Sequence, residues 1–597
     1  MPSYKAPLRD ISFVLKEVFG TDQLRSLPGY EDLQDTDMDA ILDEAAKFCE
    51  NTLFPLNRTG DEEGCHFENG VVTTPKGFKE AYKSFVDIGW SSLSCNPTYG
   101  GQGLPLTIST IFTEMISSAN SSFSTYPLLA TGAYHLLEKH GSEELKNKYL
   151  PKMVGGQWGG TMCLTESHCG TDLGLLRTKA APQADGTYKL TGTKIFITSG
   201  EHDLTENIIH MVIARTPDGV PGTKGISLFL VPKFLVNDDG SLGARNGATC
   251  ASIEHKMGIK ASATCVMNFD EATGYLVGDL FKGMSNMFVM MNSARLGIGV
   301  QGLGLGEIAY QNALAYAKDR LQGRSLTGPK YPDKMADPII VHPDVRRMLL
   351  TMKALNEGNR MLVLWTALQL DRSQSAKDPA AKQEAEDFNQ LMTPIVKAFC
   401  TDTAFELASL GVQVFGGHGY IRENGMEQYL RDARIGMLYE GTNGIQAMDL
   451  IGRKLPMGGG RVVQTFFGPV QAFIEQHKND EKMAEFVGPL EKAFGRLQQA
   501  TGLIAQKAPS DHNEAGAAAA DYLKLFALVA HAYLWCRAVL VAKDKLSSSE
   551  KAFYQSKIET ARFFMEKLLP QTGTLAVNIA AGAGPLMNFQ DESFGPF

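Results

Sequence analysis

A chain of 597 residues, 44% of them hydrophobic, is too long for one ordinary core and fits about four domains or fewer. Its net charge of −9, with no dominating basic patch, argues against nucleic acid as a partner. Nine cysteines without Cys-x-x-Cys spacing argue for free thiols in a reducing cytoplasm and against zinc, and MPSYKAPLRD at the start lacks an apolar signal core.

Residues 1 to about 160 read as helical. DMDAILDEAAKFCENTLFPLN follows Thr36, which with Asp39 suggests a capping box, and Ile41, Ala45, Cys49 and Leu53 define one apolar face. Pro55 is expected to end that helix. PKGFKEAYKSFVDIGW is a second helix, NPTYGGQGLP a glycine-rich loop, and SEELKNKYLPKM a further helix capped by Ser142. From about 161 to 282 the texture changes. YKLTGTKIFITSG, IIHMVIART, GISLFLVP and CVMNFD are short runs of β-branched and aromatic residues separated by Gly, Pro and Asp. They predict a small antiparallel barrel or sandwich rather than βαβ units. Helices return over 283–453: one long, two more over about 342–375 and 380–410. KLPMGGGRV reads as a linker into a last helical domain, 454–597. Within it, Leu523–Val541 is apolar but carries Lys524, His531 and Arg537. Charges are costly at bilayer depth, so it reads as a buried helix, with membrane contact possible but not expected.

Gly297–Gly302, GIGVQG, matches the dinucleotide fingerprint, but helix rather than strand precedes it. Small residues that let two helices approach closely are the better reading. Three other stretches have chemical content. LYEGTNGIQ, Leu438–Gln446, sets the carboxylate of Glu440 at the edge of a glycine-bearing turn. CLTESHCGTDL, Cys163–Leu173, offers backbone donors, the hydroxyls of Thr165 and Thr171, and Gly170. Such a loop can grip a polar ring edge or a phosphate. In FITSG, Phe196 suits a flat ring face and Thr198 its edge. Taken singly, each has a bland alternative: a solvated acid, an ordinary turn, a strand end.

Together with HKMGIKASATC, RLGIGVQGLG, DRLQGRS, VQVFGGHGY and RDARI, these stretches occur in the order seen in acyl-CoA dehydrogenases, and the resemblance covers about 40 to 455. The opening and the extra C-terminal helices resemble the large bacterial branch, which includes fatty acyl-CoA and 3-methylmercaptopropionyl-CoA dehydrogenases. The resemblance implies a mainly α fold: a helical N-terminal domain, a central β-domain, a catalytic helical bundle and an extra C-terminal helical domain. It implies FAD, with Leu164, Thr165, Thr171, Phe196 and Thr198 about the flavin and its pyrophosphate. Gly170 belongs to the same cofactor loop. Arg320 and Gln322 match contacts to the FAD phosphates of a partner subunit, Gln413 and Gly417 the adenosine end, and Thr442 the pyrophosphate. Glu440 matches the catalytic base. Asn292 and Arg295 match residues that contact CoA, with Asn292 where the family has Asp. Thr171 and Gly441 complete the substrate set. Phe196 stands where many members have Trp, and RLQGR departs from the commoner pattern around Gln322.

The implied reaction is α,β-dehydrogenation of an acyl-CoA to a trans-2-enoyl-CoA, in fatty acid β-oxidation. Glu440 takes the α-proton, and expulsion of water by the acyl chain is expected to raise its pKa toward the working pH. Electron-transfer flavoprotein is the expected acceptor. A 3-methylmercaptopropionyl-CoA dehydrogenase and an acyl-CoA oxidase using oxygen are the alternatives. Glu440 speaks against a flavin monooxygenase of the same fold, and a non-catalytic helical protein would hold no FAD. The expected assembly is a cytoplasmic homodimer, with the C-terminal helices folded back on the catalytic bundle.

Overall fold

The computed structural model describes residues 2–596. Glu44–Gly297 forms one compact unit; the chain up to Asp43 and from Ile298 onward forms another.

The first unit opens within α1 (Asp35–Phe48), which continues as a π-helical turn over Cys49–Leu53, and α2 (Pro55–Glu63) follows at once. Two expectations fail here. Thr36 lies inside α1, because the helix already starts at Asp35. Pro55 does not end the helical run but opens α2 at N1, where its missing N–H would be unpaired in any case. Ala45, Cys49 and Leu53 are buried as their spacing predicts, with Ile41 half-buried. Then come α3 (Phe78–Ile88), α4 (Leu106–Ala119), α5 (Ser121–His140) and α6 (Glu143–Val154). Ser142 caps α6, accepting from Leu145 N at 3.2 Å.

The seven strands of one sheet follow: β1 (Trp158–Cys163), β2 (Lys179–Pro182), β3 (Tyr188–Thr198), β4 (Asn207–Arg215), β5 (Ile226–Pro232), β6 (Ala248–Ile253) and β7 (Thr264–Leu276). The pairing runs β7–β3–β2–β4–β5 and returns to β7, which closes a barrel. Its interior holds Cys163, Leu190, Ile197, Val212, Phe229, Cys265 and Phe269. It is not wholly antiparallel: β1 runs parallel to β4 from Trp158↔Asn207 to Cys163↔Val212, and β2 meets β4 in parallel at Lys179↔Arg215. Turn residues mark where strands stop but not which strands pair. The chain passes through β2 and β3 before returning as β4, and so long a crossover permits parallel pairing.

The second unit is helical. It takes in the end of α7 (Gly283–Asp319), then α8 (Pro343–Ser375), α9 (Pro379–Phe415), α10 (Met426–Arg434) and α11 (Asn443–Asp449). The fingerprint glycines let α7 close on α9: a Cβ at Gly302 would lie 2.6 Å from the Cys400 carbonyl oxygen, and one at Gly299 2.8 Å from Val396. Gly458, Gly459 and Gly460 all take positive φ and turn the chain into α12 (Arg461–His477). There follow α13 (Ala484–Lys507), α14 (His512–Asp544) and α15 (Lys551–Phe563). By length and composition α14 could cross a bilayer, yet 83% of its most apolar window is buried within the protein. It packs on α8, α9 and α11, and the Trp535 indole donates to the Ala354 carbonyl at 3.3 Å.

Buried charges knit the same unit together. Arg360 on α8 pairs with Asp10 and, at 2.7 Å, with Glu307. Lys557 on α15 pairs with Asp10 and, at 2.8 Å, with Glu357, which also holds Lys353. Breaking one such pair strands its partner in the interior, so the N-terminal arm and the C-terminal helices are tied to the bundle at a common point.

Candidate active site

Glu440 lies between α10 and α11 with φ +57°, and Gly441 follows at φ +83°. Left-handed backbone is strained for a glutamate and free for a glycine. Surrounding donors hold the turn. Gln446 Nε2 donates to the Gly441 carbonyl at 3.0 Å and reaches that of Glu440 at 3.3 Å. Lys397 on α9, 0% exposed, donates to the Gly441 carbonyl at 2.9 Å and to Asn443 Oδ1 at 2.8 Å. Asn443 in turn donates to Asp402 at 2.7 Å and Thr401 Oγ1 at 3.0 Å. The Tyr439 hydroxyl donates to Gln301, inside the glycine-rich stretch of α7. Burial and the neighbouring Glu440 charge push the Tyr439 phenol well above its ordinary range, so it stays a donor. The result is a half-buried carboxylate on a rigid turn.

The loop after β1 and the end of β3 form a second assembly. Ile195 N donates to the Thr165 carbonyl at 2.8 Å. Lys194, 0% exposed, donates to the Leu164 carbonyl at 3.0 Å and to Glu166 at 2.8 Å. Glu166 also accepts from Thr178 Oγ1 at 2.6 Å and the Arg177 amide at 2.7 Å. Burial pushes the Glu166 carboxyl up, but Lys194 and these donors hold it down to about 2. Burial likewise lowers Lys194, against the pull of Glu166. A bulge opposite β7, where Lys194 faces Met267 and Ile197 faces Cys265, gives Phe196 a left-handed φ of +59°. Its ring is 59% exposed.

These residues suit a flat, polar-edged ring. The hydroxyls of Thr165 and Thr198 are half-buried and have no protein hydrogen bond among the described residues. An exposed phenyl lies two residues from Thr198. A Cβ at Gly170 would meet only the Thr165 methyl, at 3.6 Å, so the loop is open there. Leu164 is buried, and Thr171 is exposed.

The other expected site residues fall into two groups. Asn292 and Arg295 share a face of α7; the guanidinium is 5% exposed and lies 3.4 Å from Asn292 Oδ1. Arg320, Gln322, Gln413 and Gly417 are exposed. Tyr316 joins their segments, stacking on Phe415 at 4.0 Å and hydrogen bonding His418 at 2.8 Å. The Thr442 hydroxyl donates to the Met437 carbonyl at 3.2 Å. Sequence reasoning missed Lys194, Glu166, Lys397 and Gln301. A signal existed for both lysines: Lys194 shares the inward register of Leu190, and Lys397 interrupts the apolar run IVKAFC.

Comparison with known proteins follows the same division. The descriptions "Acyl-CoA dehydrogenase, N-terminal domain", "middle domain" and "C-terminal domain" match residues 35–157, 161–272 and 282–455. "Acetyl-CoA dehydrogenase C-terminal like" matches residues 466–590. The chain is 45% identical to 3-methylmercaptopropionyl-CoA dehydrogenase of Ruegeria pomeroyi, over 95% of this chain and 96% of that one. It is 35% identical to the broad-specificity linear acyl-CoA dehydrogenase FadE5 of Mycobacterium tuberculosis, over the full length of both. A solved acyl-CoA dehydrogenase complexed with FAD from Bacillus anthracis shares the fold, with a TM-score of 0.75 at 22% identity over 97% of this chain and 92% of that one.

Proposed function

Because the chain belongs to the acyl-CoA dehydrogenase family, whose members are FAD-dependent oxidoreductases acting on acyl-CoA, we propose that Glu440 is its general base. The observation that supports this is the half-buried carboxylate on a strained turn whose carbonyls are held by Lys397 and Gln446. In this reading the Glu440 carboxylate accepts the α-proton of the thioester. The amide of the same residue donates to the thioester carbonyl and stabilises the developing enolate. FAD, when bound, accepts the β-hydrogen as hydride. Thr165 and Thr198 hold the flavin edge, with Leu164 and Gly170 giving backbone access and Phe196 covering the ring. Thr171 and Thr442 lie toward the pyrophosphate. Gly441, Asn292 and Arg295 serve the acyl-CoA. Arg320 and Gln322 would reach the FAD phosphates of a second subunit, and Gln413 and Gly417 the adenosine end, so the active unit is a homodimer, which light scattering reads directly. In the cytoplasm, electron-transfer flavoprotein takes the electrons; peroxide as the main turnover product would show an oxidase instead. Boundaries near 160, 282 and 453 delimit the functional domains.

The substrate class is a linear acyl-CoA of fatty acid β-oxidation, consistent with the name of the FadE5 relative. The 45% identity to the Ruegeria pomeroyi enzyme favours a second reading, 3-methylmercaptopropionyl-CoA. Activity across an acyl-CoA series with methylthio-propionyl-CoA included separates the two. Glu440→Gln tests the base. It is expected to keep FAD and lose at least about a thousandfold in flavin reduction, since the amide accepts no proton. Wild-type bleaching of the flavin by substrate would sink the assignment.

A further inference from the structure

We propose that Lys397 is a positioning residue for this reaction, fixing the Glu440 turn by holding the Gly441 carbonyl. The proposal rests on Glu440 being the base. An ammonium enclosed to 0% exposure is costly to bury, and two hydrogen bonds of Lys397 go to the Glu440 turn and the start of α11. Nζ reaches the Gly441 carbonyl at 2.9 Å and Asn443 Oδ1 at 2.8 Å. The first acceptor belongs to the Gly441–Thr442 peptide, one unit beyond Glu440. The second begins α11, and Asn443 is itself pinned to α9 through the Ala398 carbonyl at 3.2 Å and Asp402. Lys397 therefore ties the C-terminal side of the strained pair to one rigid helix. Gln446, also 0% exposed, donates to the same Gly441 carbonyl from the other side.

The strain gives this clamp its purpose. Two consecutive residues in left-handed conformation do not persist without partners that hold their peptides, because a glutamate relaxes to negative φ. Relaxation of the Glu440 φ swings the carboxylate relative to the Glu440 amide. Both groups act on the same substrate, one on the α-proton and one on the carbonyl. A charged donor makes a hydrogen bond about twice as strong as a neutral one, which suits a lysine to this task.

The test is made on FAD-loaded enzyme, with the fastest straight-chain acyl-CoA of the wild type and its α-deuterated form. Lys397→Met is expected to retain FAD and to lower the limiting rate of flavin reduction per bound flavin about 10- to 100-fold, as a displacement of about 1 Å does. The apparent Kd for acyl-CoA should change less than the rate, and the α-deuterium isotope effect should rise as proton transfer becomes harder. A merely structural lysine would lower thermal stability and leave the per-flavin rate and isotope effect as in wild type, which overturns the proposal. If Lys397→Met does not fold, Gln446→Met removes the other donor to the same carbonyl, and an unchanged rate and isotope effect there overturn it equally. Glu440→Gln separates the two levels. If it reduces flavin normally, the base assignment itself fails; if it is inactive while both clamp variants are normal, only the positioning role fails.

Discussion

Two buried lysines hold two loops, one in each unit, and they do it with different partners. Lys194, under the Cys163–Leu173 loop, pairs with the carboxylate of Glu166 and takes the Leu164 carbonyl as well. Lys397, under the Glu440 turn, donates to a backbone carbonyl and a side-chain amide oxygen. The first loop is therefore anchored by a direct buried ion pair, and the second by a charged donor on two neutral oxygens, with the Asp402 carboxylate near enough to feel the lysine's charge. Removing the lysine has different consequences. At Lys194 it strands a buried anion, which is a stability effect. At Lys397 it frees two neutral oxygens and removes a charge that favours the Asp402 carboxylate, and the cost falls on the geometry of a reacting group as well.

The comparison breaks first at Lys194. Lys194→Met should destabilise the protein by about 3–5 kcal/mol, the usual cost of leaving one member of a buried pair alone. Adding Glu166→Gln should restore much of that, because the stranded charge goes. Urea denaturation of the two variants measures both effects; a single-mutant cost near zero would show that the pair is not the anchor. The pair also sets an acid limit. The Glu166 carboxyl is held at about 2, below its ordinary 4.5. Its contribution is full above pH 4.5 and is lost as the pH falls toward 2.

The two lysines also show what could be read in advance. Helix lengths, the Ser142 cap and the burial of Leu523–Val541 follow from periodicity and capping, which are local. The glycines of GIGVQG were readable as a packing seam because a fingerprint needs a strand before it and FVMMNSAR is helical. Pro55 misled because a proline that stops one helix and a proline that opens the next look alike in sequence. The parallel pairing of β1 with β4 depends on strand order, which turn residues do not encode. Lys194 and Lys397 were passed over because a lysine is almost always a surface residue. Each gains its meaning from a partner far along the chain: Glu166 in one case, Gly441 in the other.

A smaller effect separates the two units by acid response. His202 and His210 in the barrel-bearing unit, and His531 on α14 in the other, are wholly buried, and burial pushes each ring from 6.5 down to about 3. Unfolding lets each take up a proton between those values. Their stability contribution is thus full above pH 6.5 and falls by about 1.4 kcal/mol per pH unit per histidine below it. His531 is the cleanest case, since neither ring nitrogen has a hydrogen-bond partner among the described residues. His531→Leu should flatten the acid slope of the helical unit by about one proton and leave neutral-pH stability no worse. Stability curves of wild type and variant between pH 6.5 and 4 decide it, and an unchanged slope would mean that His531 already carries its proton in the folded state.

The smallest expected effect tests the end of β3, the strand that carries Lys194. Thr198 ends β3 opposite Thr264, with its hydroxyl half-buried and without a protein partner among the described residues. If the hydroxyl serves the flavin edge, Thr198→Ala removes one hydrogen bond from the cofactor and none from the fold. The loss should be about 1 kcal/mol, or about fivefold in flavin affinity, with a modest slowing of reduction and unchanged stability of the apoprotein. Flavin titration of the apoprotein together with its urea midpoint separates the two quantities. A shift in the midpoint with flavin affinity unchanged would make Thr198 a strand residue only. Lys194→Met should do the reverse, lowering the midpoint first and affecting flavin only through the loop. If both variants weakened flavin binding and stability in the same proportion, anchoring and cofactor contact would be one function of the loop rather than two.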